Sequence, residues 1–182
     1  MSKNFCELIN ERQACRNFSD KQIEKDVIYD ILEDAVKAPS ACNSQPWRVF
    51  VTYSPEENAK MRKCLQEDGK NAFLDNAQAF VAIYLSDDIT LKVGVSAKFP
   101  PSHFAEYDLG EFIAYLTLAA KDRGVDSCII GWLNNEKINE TFALCGKCDI
   151  VVALGYGKDA PRIKNRLSLS KIMLNFKDSK TF

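Results

Sequence analysis

Apolar residues recur at helical spacing from Ile23 through Val27, Ile28, Ile31, Leu32 and Ala35 to Val36. That stripe predicts an amphipathic helix ending before Pro39. Ser19-Asp-Lys-Gln22 reads as its capping box, with Ser19 as N-cap and Gln22 reaching back. Residues 3–14 carry the pattern of a short helix, and Arg48 to Tyr53 that of a strand. Ser54-Pro-Glu-Glu57 is a second capping box with Pro at the first helical position, and its helix is expected to close at Gly69. Ala79 to Leu85 is apolar throughout, as in a buried strand.

Residues 86–107 break the periodicity and hold Pro100-Pro101, a candidate cover over a site. Asp108-Leu-Gly-Glu111 opens a third helix whose body, Phe112 to Ala120, is apolar almost all round. Such a helix is buried in the core or in a subunit interface. It is expected to stop at Gly124, followed by a strand over Ser127 to Leu133, a helix over Asn135 to Leu144 and a buried strand over Ile150 to Tyr156. The pattern predicts an α+β fold, a three-layer α/β/α arrangement around a buried central helix, with residues 1–182 as one domain. The last 25 or so residues carry no core element and need something to wrap onto, such as a second copy.

Between the second helix and the first strand lies Ala38-Pro-Ser-Ala-Cys-Asn-Ser-Gln-Pro-Trp47. Pro39 and Pro46 restrict its ends, and Ser40, Asn43, Ser44 and Gln45 supply donors and acceptors between them. A polar loop held at the end of a rigid helix is a place for binding chemistry. Cations cluster near both chain ends, as Arg12-Gln-Ala-Cys-Arg16 and Arg162-Ile-Lys164-Asn-Arg166. Brought together, one cluster from each end would make a socket for a phosphate monoester.

With 182 residues, 46% hydrophobic and a net charge of −1, the chain has the bulk of a globular domain and no broad basic face for nucleic acid. No apolar run approaches a membrane span, and the opening Met-Ser-Lys-Asn-Phe-Cys-Glu lacks a signal core, so a cytoplasmic location is expected. Seven cysteines in a reducing compartment read as thiols. Cys145 and Cys148 are the one close pair, but no second such pair stands by to complete a zinc site, and no metal is expected. Gly155-Tyr-Gly157-Lys-Asp-Ala160 mimics a dinucleotide fingerprint, yet Pro161 and a basic tail follow it rather than a helix, so these glycines read as a strand-end turn.

Taken in order, these motifs resemble the nitroreductase family of FMN-dependent oxidoreductases. Arg12 to Phe18 is similar to its N-terminal R-x-S-x-R-x-F, and Ala38 to Trp47 to its A-P-S-x-x-N-x-Q-P-W loop. Asp108-Leu-Gly with the apolar helix, Gly124 to Gly131, and Leu154-Gly-Tyr-Gly with Lys164-Asn-Arg166 match its later segments. The resemblance implies a mixed central sheet and a homodimer, with the buried helix at the interface, residues 158–182 wrapping the partner and FMN between the subunits. It implies that Arg12, Arg16, Lys164 and Arg166 hold the phosphate and ribityl chain, with Arg12 or Lys164 also near the pyrimidine. Gln13 and Ala14 contribute backbone, and Pro39, Ser40, Ala41 and Asn43 come from the other subunit. Ile130 and Gly131 cover the flavin, with the Gly131 N–H at the reactive nitrogen, and Asn71 meets the pyrimidine edge. Ala14 replaces the family's Ser, and Trp132 follows Gly131 where a small residue is common, either narrowing the site or facing the core. The implied activity is hydride transfer from NADH or NADPH through FMN to a small acceptor: a nitroaromatic, quinone, enone or free flavin. The alternative is an FMN-binding store or sensor without turnover.

Overall fold

The computed structural model describes residues 4–86, 89, 95 and 97–174. Helix α1 (Phe5–Glu11) is followed by α2 (Lys25–Ala35), β1 (Trp47–Thr52), α3 (Pro55–Leu65) and β2 (Ala79–Leu85). Then come α4 (Ala105–Asp122), β3 (Asp126–Ile130), α5 (Asn135–Phe142), β4 (Cys148–Gly155) and a single helical turn, α6 (Leu169–Ile172). The four strands form one sheet in the order β1-β2-β4-β3.

Every strand pair is antiparallel. The expectation of a mixed sheet is therefore corrected, and among the described residues the one parallel pairing is an isolated bridge between Ala14 and Ser127. The two inner strands are apolar on both faces because both faces are covered. Phe80, Ala82 and Tyr84 of β2 join Cys128, Ile130, Val151 and Ala153 against Met61, Leu65 and Ile138 of α3 and α5. Ala79, Val81 and Ile83 turn the other way with Val152 and Leu154, onto Ile28 and Ile31 of α2 and Phe112 and Leu116 of α4. This is the α/β/α layering that the periodicities predict.

Several boundaries move for local reasons. Helix α2 opens at Lys25, with no side-chain cap on Glu24. Ser19 does not cap it, because its N–H is drawn into a bond with the Tyr156 carbonyl at 2.7 Å. Ser54 does cap α3, accepting from the Glu57 N–H. That helix ends at Leu65, and Gly69 closes a separate short turn with φ +71°. Helix α4 begins at Ala105, a full turn before Asp108 would have capped it. Gly124 ends it in a left-handed conformation. Of the stretch expected as a cover, 86–107, residues 87, 88, 90–94 and 96 lie outside the described residues, and its end, from Ala105, is the start of α4; residues 175–182 of the tail also lie outside them.

Gly155 and Gly157 are fixed by close approach. A Cβ on Gly155 would stand 2.6 Å from the ring of buried Phe18, and one on Gly157 would stand 2.8 Å from Asp126 Oδ2. Gly155→Ala should lower stability by about 1–3 kcal/mol through overpacking. Gly131→Ala, where the nearest atom is Ile150 Cδ1 at 3.8 Å, should change the urea midpoint far less.

Alkaline pH probes the same core. Burial pushes the Cys148 thiol up to about 11 and the Tyr84 hydroxyl up to about 12, from 9.0 and 10.0. Both values are raised, so the unfolded chain ionises first. The stability these groups contribute is complete below about pH 9 and is lost as pH climbs through the folded values. Urea midpoints across this window should fall for the wild type and fall less for a Cys148→Ala/Tyr84→Phe double variant.

Candidate functional site

Residues 14 and 15 pair with the start of β3, and the chain then turns to pair with the residues that follow β4. The Cys15 N–H donates to the Ser127 carbonyl at 2.9 Å, and Phe18 bridges to Gly157 on the other side. Asp126 ties the layers: its Oδ2 accepts from the Gly157 N–H at 3.0 Å, and its Oδ1 from Lys121 Nζ at 2.9 Å. Arg16 follows Cys15 directly and lines a small cavity with Asp126, Gly157, Asp159 and Arg162 at the start of β3.

The C-terminal segment is latched onto this one by Gln13. Gln13 Oε1 accepts from the Arg162 backbone N–H at 2.9 Å and from Arg162 Nε at 3.4 Å, while Gln13 Nε2 donates to the Ala160 carbonyl. Arg162 Nη2 donates in turn to the Ala14 carbonyl at 3.1 Å. The latch brings Lys164 and Arg166 over Arg12. Lys164 Nζ donates to the Ile9 and Asn10 carbonyls, each at 2.6 Å, in the last turn of α1. A cation suits that helix end.

Two cavities open from this cluster. One, about 330 Å³, is lined by residues 12–14 and 162–166. The other, about 310 Å³, runs from Arg12, Lys164 and Arg166 along Ile129 to Gly110, Ile113, Ala114 and Thr117 of α4. Among the described residues no Asp or Glu lines either cavity. Burial holds the Arg12 pKa below its ordinary value, opposed by the Cys128 thiol and reinforced by Arg166. Lys164 is lowered too, by desolvation first and then by Arg166, Arg12 and Lys121. Arg12 Nε is the only buried side-chain nitrogen or oxygen among the described residues without a hydrogen-bond partner. Converging cations that depress one another, beside an unsatisfied donor, are a site for an anion.

Arg16 lies over the Phe73 ring, 5.8 Å from its centroid. Asn71, left-handed at φ +51°, spends both amide protons on the Leu65 and Trp132 carbonyls, at 2.8 and 2.9 Å. It thereby pins the turn that follows Gly131. Trp132 faces neither the core nor a closed cavity: it is 67% exposed, with Lys70 over its ring.

The structure thus brings Arg12, Gln13, Ala14, Lys164 and Arg166 together, places Arg16 at the start of β3 with its guanidinium over Phe73, and sets Asn71 and Gly131 at the strand's other end. Gln13 acts through its side chain as well as its backbone. Ile130 is buried in the core, and it is Ile129 that lines the cavity. Strand alternation separates the two, and only the pairing of β3 shows which one faces the site. Pro39, Ser40, Ala41 and Asn43 line neither cavity. Cys145 is exposed and Cys148 buried, both as free thiols. Among the described residues no group of His, Cys, Asp and Glu is arranged to hold a metal ion, and no helix is long and apolar enough to cross a membrane.

Residues 9–158 match the Nitroreductase family, and the chain belongs to it. It is 26% identical to "Putative NAD(P)H nitroreductase YodC" of Bacillus subtilis, covering 93% of this chain and 97% of that protein. A shorter stretch, 37% of the chain, is 34% identical to human iodotyrosine deiodinase 1. Among solved structures, a nitroreductase of Exiguobacterium sibiricum in complex with FMN superposes with a TM-score of 0.83 at 23% identity, covering 97% of this chain and 99% of that one. The enone reductase CLA-ER superposes at 0.77 and 21% identity, covering 95% and 98%.

Gln13→Leu keeps the volume of the latch and removes its hydrogen bonds. Hydrogen exchange should show residues 160–166 losing protection, while the melting temperature moves by less than about 2 °C.

Proposed function

We propose that this protein is an FMN-dependent oxidoreductase that passes hydride from NADH or NADPH to a small acceptor such as a nitroaromatic, quinone, enone or free flavin. The observation that carries this reading is the carboxylate-free cluster of Arg12, Lys164 and Arg166, with the unsatisfied Arg12 Nε beside it. These residues fit a phosphate dianion, and their side chains hold that end of FMN. When bound, FMN supplies the hydride relay between donor and acceptor. Arg16, braced on Phe73, adds positive charge, and Asn71 sets the turn from which the Gly131 N–H orients the ring.

The protein works as a homodimer in which Pro39, Ser40, Ala41 and Asn43 of each copy close the other copy's site. Large apolar side chains left exposed support this: Phe5, Ile9, Tyr107 and Tyr115 on α1 and α4, and Ile163, Leu167 and Leu169 on the tail. A face of that kind on one chain calls for a partner, and residues 158–182 are the segment that wraps it. The unpaired cysteines accord with the cytoplasm. Storage of FMN without turnover would require the space above the ring to be closed.

Purified protein should be yellow, and anaerobic NADH or NADPH should bleach its flavin bands. Arg12→Ala and Arg166→Ala should each weaken FMN binding at least tenfold and leave riboflavin binding, which involves no phosphate, nearly unchanged. Colourless protein that ignores added FMN would end this reading.

A further inference from the structure

The loop Ser40–Gln45 is shaped by one carboxylate from a distant part of the chain. Asp108, 5% exposed, accepts from the Ala41 N–H on Oδ1 at 3.0 Å and from the Ser44 hydroxyl on Oδ2 at 3.4 Å. Ser40 Oγ is spent inside the loop as well, accepting from the Gln45 N–H at 3.0 Å. Three non-glycine residues here, Cys42, Asn43 and Gln45, hold positive φ of 56°, 56° and 46°. A strained conformation of this kind persists only where its surroundings dictate it. One turn further along α4, Phe112 stacks on Trp47, with ring centroids 5.0 Å apart. Asp108 and Phe112, four residues apart on one helix face, therefore grip the loop at its middle and its end.

The opposite face of α4 looks onto the cationic cavity, through Gly110, Ile113, Ala114 and Thr117. At 3.6 residues per turn these four point roughly 120–180° away from the mean direction of Asp108 and Phe112. The loop and its own chain's cavity are thus separated by the thickness of a buried helix. A loop on that side cannot close the cavity of its own chain. It is presented, preformed, to a second one.

We infer that Asp108 is a positioning residue for flavin binding that acts in trans: it holds Ser40–Gln45 in the form that completes the partner copy's site. This rests on the FMN reading above. Asp108 itself touches no ligand. Its effect passes through the Ala41 backbone and the Ser44 hydroxyl.

The test is a mixed dimer. Two differently tagged copies, one carrying Asp108→Ala and the other Arg166→Ala, are co-expressed and purified through both tags. If the loop serves the partner, both lesions fall in one site and the other site is intact. The mixed dimer should then bind one FMN per dimer at wild-type affinity, while each homodimer binds at least tenfold more weakly. Asp108→Asn keeps an acceptor for the Ala41 N–H and an amide for the Ser44 hydroxyl, and should restore affinity to within about threefold. If Asp108→Ala yields no folded dimer, Asp108→Ser takes its place in the same design. Wild-type FMN affinity in the Asp108→Ala homodimer, or a mixed dimer with no intact site, overturns the inference. Failure of the wild type to bind FMN overturns the functional reading instead.

Discussion

A short piece of main-chain pairing decides where the charges of this protein go. The Cys15 N–H meets the Ser127 carbonyl, Phe18 meets Gly157, and the Arg12–Arg16 segment is thereby laid in a fixed register beside β3. Everything polar in the site follows from that register. It places Arg12 where the tail can reach it, and Arg16 against Phe73. It also explains the two late glycines, since Phe18 and Asp126 occupy the space that side chains at 155 and 157 would need. A fingerprint that looks like a phosphate loop on paper is a steric requirement of this pairing.

Much of the fold was legible because its signals are physical and local. The stripe from Ile23 to Val36, the Ser54 cap and the unbroken apolar run of β2 each have one plausible structural outcome, and each appears with small shifts at its ends. Ser19 shows where that logic stops. Its capping pattern is intact, but sheet-like pairing with Tyr156 claims its backbone first. The mixed sheet was expected from resemblance alone, and the strands themselves pair antiparallel throughout.

The site was legible in its residue types and less so in its geometry. Clustered cations at the two chain ends do meet, as their chemistry suggested. Three details depended on contacts between residues far apart in sequence. Asp108 has the look of a helix cap, yet it serves a loop 64–67 positions earlier. Gln13 looks like a spacer between cations and is the anchor of the tail. Ile129 and Ile130 are chemically the same, and only strand pairing tells which one faces the cavity. No local pattern encodes any of these.

The tail brings charge to the site without bringing packing. Arg12, Lys164 and Arg166 crowd like charge together across a segment held by hydrogen bonds of Gln13, Arg162 and Lys164, so the cluster is electrostatically sprung. Dissolved salt relaxes that spring by screening it over about 8–10 Å at ordinary ionic strength. The same ions compete with any anion for the cluster. Rising salt therefore eases the repulsion among the three cations while weakening their pull on an anion, and rigidity and affinity move in opposite directions.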